Sequence, residues 1–75
     1  MHHPFPAERF LPYLTTEDVR ELDKERAAVV VVIGAIEQHG PHLPLSTDLD
    51  IGLGLLGAAF GRLPADFPAW ALPPQ

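Results

Sequence analysis

Ala28-Val29-Val30-Val31-Val32-Ile33, closed by Gly34, is the stretch on which the fold turns. Four consecutive valines combine high β-propensity with no polar alternation. That pattern suits a strand covered on both faces, as in a parallel sheet. Downstream, a polar loop from Glu37 to Thr47 holds Gly40, Pro41 and Pro44. Ser46-Thr47-Asp48 then reads as a helix start, and Leu49 to Leu63 continues apolar nearly all round. Gly52, Gly54, Gly57 and Gly61 each cost a helix up to ~1 kcal/mol relative to alanine. So many glycines imply a backbone packed closely against a sheet or a neighbouring helix. Pro64-Ala65-Asp66 breaks the helix, and Phe67 to Leu72 reads as a second strand before Pro73-Pro74-Gln75. Strand, loop, helix, strand is a βαβ unit, whose crossover is right-handed in about 98% of cases.

Upstream of the valines, Thr15 and Thr16 offer an N-cap, and Glu17 and Asp18 place negative charge where a helix dipole favours it. Val19 and Leu22 give the segment to Arg26 a narrow apolar stripe, as in a short surface helix. Residues 1–14 form an extended N-terminal arm in which Phe5, Phe10, Leu11, Tyr13 and Leu14 need a surface to cover. His2 and His3 read as part of a disordered terminus. Residues 15–75 read as the N-terminal part of a larger α/β domain, because a buried strand and a buried helix demand layers that this stretch does not supply.

The composition supports that reading. A chain of 75 residues buries only about 60% of the surface it exposes when unfolded. The sequence has no cysteine, which excludes disulfide staples and thiolate metal sites. Five basic against ten acidic residues leave a net charge of −5, which argues against a nucleic-acid binder. With 47% hydrophobic and 20% charged residues, the chain is no disordered acidic tail. The start lacks the basic and apolar regions of a secretory signal. The longest apolar run, Ala27 to Ile36, is ten residues, against the roughly 20 that span a bilayer. The default address is the cytoplasm, away from membranes.

The chemistry gathers in the loop after the valine strand, at the end of a parallel strand where open α/β sheets place their ligand sites. Glu37, His39, His42 and Asp48 fall within twelve positions. Carboxylates and imidazoles without a thiol suit zinc, manganese or iron in a hydrolytic site. Glu37 and His39 are two apart, so at an extended strand end their side chains point the same way. The prolines return the chain so that Asp48 meets them at the helix start. Read singly, Glu37 is also a plain loop acid and Asp48 a helix-terminal acid satisfied by the dipole. His42 reads equally as a loop histidine bonded to backbone. Asp50 is most simply an early-helix acid.

Glu37-Gln38-His39-Gly40-Pro41-His42-Leu43-Pro44-Leu45, followed by Thr47-Asp48, resembles the N-terminal metal motif of the creatininase (creatinine amidohydrolase) family. Pro12-Tyr13-Leu14-Thr15 and Ala71-Leu72-Pro73-Pro74 resemble its opening segment and next strand, so the likeness runs from about Arg9 onward. Ala35 departs from it, since family members often carry serine there. The resemblance implies a partial three-layer α/β/α domain with a binuclear metal site, in assemblies that are often hexamers. It implies Glu37 on one metal, His39 on the other and Asp48 bridging both. The two divalent ions would be zinc foremost, or manganese or iron. The implied reaction is hydrolysis of a C–N bond in a small linear or cyclic amide or a peptide-like bond. Some relatives act in maturing peptide-derived redox cofactors.

The resemblance also implies a second histidine and a second glutamate ligand in segments beyond residue 75, together with the acid, base and pocket residues. On this reading the isolated chain binds metal weakly and does not turn over. The remainder of the domain, or a complementary chain, completes the site. The alternative from another class is a non-catalytic fragment or interaction subunit that docks its sheet edge and apolar helix on a complementary chain. Anion binding at the Ser46-Thr47-Asp48 helix start is a weaker idea, opposed by the acid there.

Overall fold

A computed structural model describes residues 3–75; Met1 and His2, and with them part of the expected disordered terminus, lie outside the described residues. The valine run forms β1 (Ala28–Val30), followed by a helix over Thr47–Phe60 and by β2 (Ala69–Ala71). The strands pair in parallel, with Ala28 opposite Ala69, Val29 opposite Trp70 and Val30 opposite Ala71. The βαβ unit expected from the sequence is therefore present, as one part of an α/β fold.

Both strands are shorter than the Ala28–Ile33 and Phe67–Leu72 read from the sequence, and proline explains why. Pro68, Pro73 and Pro74 have no N–H to give to a ladder. Pairing extends past the regular strands at both ends: Ala28 N–H donates to Pro68 O at 2.7 Å and Leu72 N–H to Val30 O at 2.9 Å. The next donor, Gln75 N–H, reaches Val32 O at 3.0 Å. The valine stretch thus stays tied to the second strand beyond its regular part.

The N-terminal arm departs from the extended course expected of it. Ala7–Arg9 and Leu11–Tyr13 form two 3₁₀ turns, and Phe10 between them makes a parallel bridge to Ala71. The arm therefore covers the edge of β2 that β1 leaves free. Phe5, Phe10, Phe60, Ala69 and Ala71 form the buried core, with Val30, Leu53, Leu56 and Leu63 packed against it. His3, expected in a disordered terminus, stacks on Phe10 with ring centroids 3.8 Å apart. Arg9 fastens the arm further. Its buried guanidinium donates to the carbonyls of Phe67 at 2.8 Å, Ala69 at 2.9 Å and Pro64.

The helix expected to reach Arg26 is only five residues long, α1 (Thr16–Arg20). Thr15 caps it as expected, in a reciprocal box: its hydroxyl accepts from Asp18 N–H at 3.1 Å, and the Asp18 carboxylate accepts from Thr15 N–H at 2.9 Å. It ends early because a stripe of Val19 and Leu22 anchors too little of it, and short helices are marginal without packing. Lys24 Nζ then folds back onto the carbonyls of Val19 at 2.9 Å and Arg20 at 3.1 Å.

The second helix, α2 (Thr47–Phe60), stops three residues before the expected Leu63. Arg62 and Leu63 close the end with i→i+3 bonds to Ala59 and Phe60 ahead of Pro64. Its glycines do serve close approach, though not all of them. A β-carbon on Gly57 would sit 2.8 Å from Pro4 Cβ, and one on Gly52 3.0 Å from Val32 Cγ1. A β-carbon on Gly54 would meet nothing within 4 Å among the described residues. Leu53, Leu56 and Phe60 face the core, while Ile51 and Leu55 on the same helix are exposed.

Candidate metal centre

Gly34 sets the geometry of the site before any ligand appears. A β-carbon there would lie 2.7 Å from Leu49 Cα, so glycine lets the end of the valine stretch run directly against the first turn of α2. Ala35 and Ile36 continue to Glu37, whose N–H donates to Leu45 O at 3.1 Å and closes the loop between them. At the far end Thr47 ties itself to Pro44 O through its hydroxyl at 2.6 Å and its N–H at 3.2 Å. Within the loop, Gly40 adopts φ +78°, a conformation that L side chains resist. Its N–H donates to Gln38 Oε1 at 2.9 Å.

This frame brings Glu37, His39 and Asp48 together: each offers one ligand atom, and the three atoms lie within 4.8 Å of one another. His39 is held at both ring nitrogens. Nδ1 lies 3.0 Å from Glu37 O and Nε2 lies 3.1 Å from Asp48 Oδ1. A carbonyl oxygen has no proton to give, so Nδ1 is the donor. In the neutral ring Nε2 then presents a lone pair to an ionised carboxylate, and two acceptors face each other. A cation between them resolves the conflict, whether a proton on Nε2 or a metal ion. The proton answer shows as a raised His39 pKa, caused first by the backbone bond to Glu37 and then by the Asp48 carboxylate.

The metal answer fits equally well. Two ligand atoms about 2.0 to 2.1 Å from a tetrahedral zinc stand roughly 3.3 Å apart, close to the 3.1 Å between Nε2 and Oδ1. The Nδ1–H bond to a backbone carbonyl is the support that metal-binding imidazoles commonly have. The site is half open to solvent, with Glu37 and Asp48 exposed and His39 partly buried.

The other loop candidates stand apart. His42 is exposed and lies against Gly40, outside the three-residue cluster. Asp50 accepts from Ser46 Oγ at 2.8 Å within the first turn of α2, in keeping with a plain early-helix acid. Two polar groups have supporting contacts that the sequence reading did not assign. Arg9 lies within the arm and carries no motif, and nothing in the sequence marks it for burial. Gln38 was legible as part of the motif, but nothing in the spacing says that its amide braces the backbone of Gly40.

Comparison with known proteins bears on the same loop. The family model described as creatinine amidohydrolase, Creatininase, matches residues 12–75. A mycofactocin precursor peptide peptidase of Mycolicibacterium smegmatis is 44% identical over 64 residues, covering 81% of this chain and 26% of that protein. The protein of that name from Mycobacterium ulcerans is 37% identical over 65 residues, with the same two coverages, 81% and 26%. A third, from Mycobacterium tuberculosis, is 39% identical over 46 residues, or 61% of this chain and 18% of its own length. The chain thus spans about a quarter of the length of the first two curated relatives. No solved structure gives a significant match. The chain belongs to the creatininase family.

Proposed function

Proceeding from that membership, we propose that this chain contributes Glu37, His39 and Asp48 to a binuclear metal site of a cytoplasmic amidohydrolase, cleaving a C–N bond in a peptide-like or small amide substrate. The observation that carries the reading is the convergence of the three donors within 4.8 Å at the end of the valine stretch. A peptide-like substrate is preferred because the similar mycobacterial proteins are named peptide peptidases. Two bound divalent ions, zinc foremost and manganese or iron as substitutes, would supply an acidified water as nucleophile and polarise the amide carbonyl.

The chain's own residues have separate parts in this. Asp48 lies in the first turn of α2, and its two carboxylate oxygens suit a bridging role. His39 presents Nε2 because Nδ1 is committed to Glu37 O. Glu37 brings a second carboxylate from the opposite side of the loop. The remaining ligands and the substrate pocket come from further chain or a complementary subunit, in a homo-oligomer that the family resemblance makes a hexamer. The exposure of Val29, Val31, Ile33, Ile51 and Leu55 supports that completion. Among the described residues no helix is long and apolar enough to cross a membrane.

The same apolar surface would serve a non-catalytic docking subunit, so the test must separate the two readings. The protein is mixed with the part of a mycofactocin precursor peptide peptidase that it does not match, in zinc or manganese, and cleavage of a short peptide is followed. Cleavage is expected from the mixture, to be lost with a chelator or with Asp48→Ala, and to be absent from the 75-residue chain alone. Association without cleavage, unchanged by Asp48→Ala, would favour the docking subunit. Robust cleavage by the chain alone would contradict the need for completion.

A further inference from the structure

We infer that Gln38 is a positioning residue for the metal site, holding His39 in its ligating pose by bracing the turn that follows it. Two short bonds, each reaching two residues back along the chain, flank His39. The ring donates backward, Nδ1 to Glu37 O at 3.0 Å. The next residue, Gly40, donates from its N–H to Gln38 Oε1 at 2.9 Å. One bond fixes the imidazole, and the other fixes the backbone that carries it.

The brace is needed at this point because Gly40 has φ +78°. Glycine enters that region freely, but it also leaves it freely, since it has no β-carbon to restrict it. A side-chain acceptor two residues back, taking the N–H that helix or sheet would otherwise use, selects one conformation. Pro41 stiffens the far side of the turn but has no N–H to contribute. Gln38 is exposed and lies outside the core cluster, so burial does not explain its place. It is also not among the three converging donors, so direct ligation does not explain it.

The inference rests on the metal-site reading above, and the experiment is arranged so that the two fail differently. Zn²⁺ is titrated calorimetrically into the wild-type protein and into Gln38→Met, Gln38→Glu and Asp48→Ala variants, in high salt to screen the charge that glutamate adds. Thermal unfolding of each metal-free protein is recorded alongside. Gln38→Met keeps the length but loses the acceptor, and its affinity should fall by roughly tenfold, the lower end for residues that orient a metal ligand. Its metal-free melting temperature should stay at the wild-type value. Gln38→Glu keeps an acceptor for Gly40 N–H and should bind zinc as the wild type does.

Wild-type affinity in Gln38→Met overturns the role of Gln38 and leaves the metal site standing. Equal loss in Gln38→Met and Gln38→Glu also overturns it, because the acceptor would then not be what matters. Wild-type protein that takes up no more zinc than Asp48→Ala overturns the site itself, and this inference with it.

Discussion

Between His39 Nε2 and Asp48 Oδ1, 3.1 Å apart, two groups that both accept hydrogen bonds face each other unless a cation intervenes. Without metal that cation is a proton. His39 should therefore titrate above its ordinary value of 6.5 in metal-free protein, because the Glu37 carbonyl holds Nδ1–H and the Asp48 carboxylate favours the imidazolium. Its contribution to the stability of the metal-free fold is present below the unfolded value and fades as pH rises through the raised one. An NMR titration of the His39 ring checks this. Asp48→Asn should lower the midpoint only in part, because the larger cause, the Glu37 carbonyl, remains. A wild-type midpoint at or below 6.5 would mean that the loop does not hold the two groups together. At this scale the sequence picks out candidate donors and says little about supports. Glu37, His39 and Asp48 stand out by chemical type and spacing. Gln38 and Arg9 act through backbone atoms, which have no sequence signature.

At the scale of elements, glycine in α2 offers a controlled comparison. Among the described residues a methyl group added at Gly54 would meet nothing within 4 Å, so Gly54→Ala should stabilise the protein by roughly 1 kcal/mol through helix propensity alone. Gly57→Ala gains the same propensity but drives its methyl to 2.8 Å from Pro4 Cβ, where overpacking costs about 1 to 3 kcal/mol. Thermal or urea unfolding of the two variants should move in opposite directions. If both are stabilised, the arm does not rest on α2. The same pair of glycines shows how far the sequence reaches. A helix with unusual glycines against a valine strand is legible in it, and both exist. That one glycine receives the N-terminal arm while another faces open space is not, since this depends on a contact between Pro4 and Gly57, far apart in the chain. The strands are recognisable from β-branched residues, but their regular length is set by the missing donors at Pro68, Pro73 and Pro74.

The whole molecule is extended, with principal extents of 47 × 23 × 19 Å. A compact domain of this length has a radius of gyration of about 11 Å, against the 14.2 Å found here. Among the described residues the buried hydrophobic core comprises five, while Ile33, Leu55 and Ile51 are 79%, 70% and 58% exposed. This is the surface that the proposed completion of the domain would cover. Function nevertheless turns on one loop, and on whether Glu37, His39 and Asp48 hold metal there. Native mass spectrometry of wild-type protein and Asp48→Ala, each equilibrated with zinc, tests this most directly. Bound zinc on the wild type, absent from an otherwise folded Asp48→Ala, is the predicted result. Equal zinc on both proteins, or none on either, would contradict it.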